Sequence, residues 1–166
     1  MRKKVSILVR VPTDRSFVGE LIVNVDGTKT LFPVSCMVSP EINGVNPAVA
    51  KYAWIKTVDV TNEDDVIAYG EKVVFFQGLG SEVMLSIHGG ECDLAGELLA
   101  TEGGLRLRDS DLMDLCHLIE DSSPLLAIEE YKLGFFKKMT GGKVSQRSIH
   151  PRYYRASSSY VPNNSH

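Results

Sequence analysis

With 166 residues, 43% of them hydrophobic and 23% charged, the sequence has the make-up of one ordinary globular domain and is short for two. No apolar run approaches the length of a membrane span, and Arg10, Pro12, Asp14 and Arg15 interrupt the stretch where a signal peptide would need its apolar core. The three cysteines, Cys36, Cys92 and Cys116, are odd in number and lack metal-ligand spacing, which speaks against a disulfide framework or a metal centre.

The first strand is expected over Lys4 to Val11, where Val5, Ile7, Val9 and Val11 alternate with Lys4, Ser6 and Arg10, and Pro12-Thr13-Asp14 ends it. A second strand is expected over Phe17 to Val25 and a third over Thr30 to Val38, joined as a hairpin by Asp26-Gly27, which tolerates positive φ. Ser39 to Pro47 reads as a loop from its Pro, Asn and Gly content. Tyr52 to Val60 reads as a strand carrying the only tryptophan, Trp54, which is either core or a platform for stacking a ligand. Thr61 to Asp65 reads as an acidic solvated turn without calcium-loop spacing.

Strands over Lys72 to Gln77 and Glu82 to Ile87 flank Gly78-Leu79-Gly80 and deliver His88-Gly89-Gly90. Cys92 to Ala100 is a short helix or covering loop, and Thr101-Glu102-Gly103-Gly104-Leu105-Arg106-Leu107 follows. Asp109 or Ser110 is a plausible N-cap for a helix with Leu112, Leu115, Cys116 and Ile119 on one face, stopped by Ser122-Ser123-Pro124. Leu125 to Tyr131 adds a short strand or helix.

The order strand, His-Gly, loop, Gly-x-Leu-Arg-Leu, polar cap and amphipathic helix resembles the catalytic segment of the L,D-transpeptidase (YkuD-type) family. That family reads His-Gly, then Ser-His-Gly-Cys-Ile-Arg-Leu. Phe32-Pro33-Val34-Ser35 matches a further strand of the family, although Cys36-Met37-Val38 follows where the family continues Thr-Gly-Lys. The resemblance covers about residues 4 to 131 and places Thr101 on the family's Ser, Glu102 on its catalytic His, Gly103 on its Gly, Gly104 on its nucleophilic Cys and Arg106 on its Arg. It implies a mainly β fold, a bent mixed sheet or sandwich with one main helix after the former active-site loop.

In the family the thiolate attacks a peptide carbonyl, the His is its base and backbone amides hold the oxyanion. The resemblance implies a divergent form without that Cys and His, with a degenerate site at His88, Glu102, Gly103, Gly104 and Arg106. Cys92, four residues after His88, is the outside candidate for a relocated nucleophile. His88, Arg106 and Trp54 are the candidate substrate contacts, with a loop-holding hydrogen bond for His88 and a structural salt bridge for Arg106 as the alternative roles. No cofactor is expected.

Residues 1–136 carry 12 Lys and Arg against 21 Asp and Glu, a net of −9, whereas residues 137–166 carry six bases and no acid. The chain therefore divides into a transpeptidase-like domain, 1–136, and a basic arm, 137–166, expected to lie on an acidic surface of its own domain or of a neighbouring subunit. Arg147, Arg152, Tyr153, Tyr154, Arg155 and Tyr160 are of the types favoured at protein interfaces. Protein subunits, in a homo-oligomer or another assembly, and cell-wall peptide are the expected partners; the sparse bases, interleaved with Ser and Asn, argue against nucleic acid. The absence of a signal stretch points to a cytoplasmic protein or one released in an assembled particle such as a phage virion. Two functions stay open: a non-catalytic binding or structural module, and a divergent transpeptidase or hydrolase of peptidoglycan stem peptides.

Overall fold

The computed structural model describes residues 2–36, 51–80, 82–90, 97–99, 101, 104–134 and 142. Among the described residues eight strands and two helices follow in the order β1 (Val5–Pro12), β2 (Gly19–Val25), β3 (Thr28–Cys36), β4 (Lys51–Asp59), α1 (Glu63–Tyr69), β5 (Lys72–Gly78), β6 (Met84–His88), β7 (Leu105–Arg106), α2 (Asp109–Ile119) and β8 (Leu125–Tyr131). The fold is mainly β, and the expected bent mixed sheet closes on itself as a barrel ordered β1-β2-β3-β7-β6-β5-β4-β8. Two neighbouring pairs, β1 with β8 and β6 with β7, are parallel; the remaining pairs are antiparallel.

The β2–β3 hairpin forms as its sequence dictates. Asp26 and Gly27 both take positive φ, 49° and 95°, the combination that matches a two-residue turn to the twist of its strands. Alternation then sorts the side chains: Ile7, Val9, Leu21, Val23, Phe32 and Val34 are buried inside, and their neighbours point out. Leu112, Leu115 and Ile119 of α2 join this interior, so the helix and the barrel share one core.

The acidic stretch read as a turn is the beginning of a helix. Asn62 caps α1 by accepting from the amides of Asp64 and Asp65, and Glu63, Asp64 and Asp65 place negative charge at the positive end of the helix. Its Ala68 and Tyr69 pack on Val73 and Phe75 in a second, smaller cluster on the outer face of β5. The run Val73-Val74-Phe75-Phe76 is thus apolar throughout because both faces of β5 are covered, one by the core and one by α1.

Among the described residues no helix is long and apolar enough to cross a membrane. The loop expected over 39–47 and the arm over 137–166, apart from Gly142, lie outside the described residues.

Candidate functional site

His88 ends β6, where it pairs in register with Val73 on one side and Arg106 of β7 on the other. The parallel β6–β7 pairing brings the two segments of the His-Gly and Gly-x-Leu-Arg motif together, and the Leu107 amide donates to the His88 carbonyl at 2.9 Å. The last turn of α1 closes the third side. The Gly89 amide donates to the Tyr69 carbonyl at 2.7 Å, and the Tyr69 ring meets the His88 imidazole edge-on, with centroids 5.4 Å apart.

The His88 ring is 2% exposed, and so is Thr101. Nδ1 lies 2.9 Å from the Gly89 carbonyl oxygen and Nε2 lies 3.2 Å from the Thr101 hydroxyl. A carbonyl only accepts, so Nδ1 carries the proton in the neutral ring, and Nε2 is left to accept from Thr101. The imidazole therefore ties the end of β6 to the segment that enters β7. Arg106 is buried as well, its Nη2 reaching the Ala68 carbonyl at 3.4 Å.

The two glycines after His88 are explained by what surrounds them. A Cβ on Gly89 would collide with the carboxylate of Asp109, and one on Gly90 would collide with the Ala68 carbonyl and stand 2.9 Å from Arg106 Nη1. Asp109 Oδ1 accepts instead from the Gly90 amide at 2.9 Å. Asp109 is therefore not the N-cap of α2. Arg108 occupies that position without a side-chain cap bond, and the Asp109 carboxylate is committed to holding the glycine turn.

Gly104, which the motif resemblance lays on the nucleophile of the L,D-transpeptidase family, has φ 73°. A Cβ there would run into the carbonyl oxygen of Ser86 and stand 2.6 Å from its hydroxyl. The backbone at this position is built for a residue without a side chain. Glu102, Gly103 and Cys92 lie outside the described residues, as do Arg147, Arg152, Tyr153, Tyr154, Arg155 and Tyr160 of the arm.

Trp54 is not part of this cluster. It packs against the edge of the core and lines a separate cleft of about 460 Å3 with Met113, Cys116 and His117 of α2. Cys116, expected in the core, is half-buried there, and burial pushes its thiol up from the ordinary range, which lowers its thiolate fraction at neutral pH. The side chain of Cys36 is outside the described set.

Sequence reasoning singled out His88, Arg106 and, through the resemblance, Thr101, but not Tyr69 or Ala68. Tyr69 was hidden because the acidic run preceding it read as a turn, although Val66 and Tyr69, three apart before Gly70, carry the helical spacing. Ala68 acts through its backbone, which leaves no residue-type signal at all.

No protein-family profile matches the chain, and no curated protein matches it. Among solved structures it is similar to the helical cell shape determining protein Pgp2 from Campylobacter jejuni, at 16% identity and a TM-score of 0.47, over 80% of this chain and 51% of that one. It is also similar to an L,D-transpeptidase from Mycobacterium smegmatis, at 14% identity and a TM-score of 0.41, over 75% of this chain and 59% of that one. The chain spans between half and three fifths of the length of these proteins, and what its own site can do rests on its own residues.

Proposed function

We propose that the chain is a non-catalytic module of the L,D-transpeptidase type, one that binds and does not cut. Its ligands on this reading are other protein subunits, in an assembly such as a virion, or cell-wall peptide. The motif resemblance supplies the type, and the backbone at Gly104 carries the loss of chemistry. Acyl transfer by that family needs a thiolate at this position. Here φ is 73° and the Ser86 carbonyl occupies the space a Cβ would take, so the site has lost the room for a nucleophile as well as the nucleophile.

A second reading is favoured by one observation. His88 Nε2 and the Thr101 hydroxyl are 3.2 Å apart while Nδ1 is oriented by the Gly89 carbonyl, the arrangement of a base, a hydroxyl nucleophile and an orienting acceptor. In such a hydrolase the Thr101 oxygen would attack a peptide carbonyl carbon as its proton passed to Nε2, the C–N bond would break as Nε2 gave that proton to the leaving amine, and water would then hydrolyse the acyl ester to the free acid and restore the Thr101 hydroxyl. Both side chains are 2% exposed, which denies a peptide access to them and ranks this reading second.

The deciding measurement is mass-spectrometric turnover of purified muropeptides by the natural protein and by Thr101→Val, with equilibrium binding of the same muropeptides followed in parallel. No product from either protein is the expected result. Product from the natural protein that disappears in Thr101→Val would establish the second reading. Product from both would overturn the two together and direct attention to Cys92.

A further inference from the structure

The outer surface of the barrel has an apolar stripe. On β8, β1, β2 and β3 the inward residues are buried, and the outward positions fall into register across the four strands. Ala127 lies beside Leu8, Leu8 opposite Ile22, and Ile22 opposite Leu31. A sheet face turned to water normally carries polar residues at such positions. Here Leu31 is 55% exposed at one end of the row.

Two residues further along each strand the next row is charged: Glu129, Arg10 and Glu20 stand side by side, with Pro33 completing it. Arg10 bridges both carboxylates, at 3.6 Å to Glu20 and 3.8 Å to Glu129, yet the Glu129 side chain remains 60% exposed. A groove of about 490 Å3 adjoins the two rows, and Phe17, Glu20, Leu31, Pro33, Arg108 and Tyr131 are among the residues that line it.

Gly142 lies on the rim of this groove. Its carbonyl accepts from the Val18 amide at 2.8 Å, immediately before β2 begins. Gly142 is thus anchored at the groove, and the 24 residues of segment 143–166 follow it in sequence. Four strands span roughly 15–20 Å at the usual interstrand spacing, whereas a segment of that length reaches up to about 80 Å when extended. Its composition complements the face. Ile149, Tyr153, Tyr154, Tyr160 and Val161 supply apolar and aromatic surface, and Lys143, Arg147, Arg152 and Arg155 supply cations with no acid among them.

We infer that the outer face of β8, β1, β2 and β3 is the docking surface for the chain's own segment 143–166, bound in cis. The aromatic and aliphatic side chains cover the row Ala127, Leu8, Ile22 and Leu31, and the arginines reach Glu129 and Glu20. The barrel and the arm are then one unit, and the opposite charges of the two parts meet within a single chain. The inference does not depend on the proposed function.

The bases of the segment are also trypsin sites, which gives a direct test. The full chain is digested under limiting conditions, and the rates of cleavage after Arg147, Arg152 and Arg155 are read by mass spectrometry against a synthetic peptide of residues 143–166. Cleavage in the full chain is expected to be slower by about tenfold or more, because it tracks the undocked fraction. Leu31→Asp and Glu129→Lys, both at exposed positions, are each expected to bring the rate back toward that of the peptide with an unchanged circular dichroism spectrum. Protection should persist on tenfold dilution of a monomeric protein. Equal rates in chain and peptide would overturn the inference, as would protection that survives both substitutions. Protection that is lost on dilution of a dimer would assign the face to the arm of a second copy instead.

Discussion

At Gly104 any other residue would have to adopt a left-handed backbone conformation with its Cβ against the Ser86 carbonyl. Gly104→Cys, the substitution that would restore a thiol to the motif, is therefore expected to lower stability by about 2–4 kcal/mol, from backbone strain together with overpacking. Urea denaturation checks this, and a stability equal to that of the natural protein would show that Ser86 gives way. The motif resemblance marked Gly104 as the counterpart of the family's nucleophile. It could not reveal the left-handed backbone or the Ser86 carbonyl against it, because a glycine pair is equally compatible with a turn and with a close approach. The same holds for Gly89 and Gly90: their presence was readable, and the groups that exclude side chains from them, the Asp109 carboxylate at Gly89 and the Ala68 carbonyl at Gly90, come from distant parts of the sequence. His88 was readable as a motif member, whereas its partner Thr101 was recognised only as a counterpart of a family residue.

The elements with a strong repeating pattern were the legible ones. The β2–β3 hairpin, the strands over 51–59 and 72–78 and the helix after Arg108 follow from alternation, turn chemistry and the spacing of Leu112, Leu115 and Ile119. Short elements that depend on neighbours were not. Helix α1 has seven residues, too few to be stable alone, and its acidic first turn masks an apolar side that has meaning only against β5. Strand β7 has two residues and exists because β3 and β6 stand on either side of it. Since the Asn62 side chain is the cap of α1, Asn62→Ala is expected to cost about 1 kcal/mol. Hydrogen exchange should localise the loss to the amides of Val66 and Gly70, which bond to the first and last turns of the helix. Loss spread evenly through the barrel would mean that α1 does not open separately.

For the molecule as a whole, the pairing with the largest consequence is the parallel one between β1 and β8, whose seven aligned positions join the two ends of the described domain. Contacts so distant in sequence form only after most of the chain has been brought together, and the loop entropy is met before the pairing rewards it. Refolding from urea is expected in the millisecond-to-second range typical of domains rich in non-local strand pairs. Stopped-flow tryptophan fluorescence is a suitable probe, because the only tryptophan, Trp54, sits on β4 beside the residues that pair with β8. A submillisecond phase with full amplitude would indicate that the barrel assembles from local hairpins before β8 closes it.

Closure of the sheet has one more effect. A strand that is hydrogen-bonded on both sides has no row of amides and carbonyls left to offer, and β1 and β2 are paired in this way along nearly their whole length, whereas the two-residue β7 meets β3 only at Ser35 and Cys36 and leaves residues 28–34 of that edge without a described partner strand. Extending the sheet, the mode that many peptide-binding domains use, has no edge to build on along β1 and β2. On that face recognition works through side chains, so the identity of the outward-facing residues of β1 and β2, more than their backbone, determines what the face can hold.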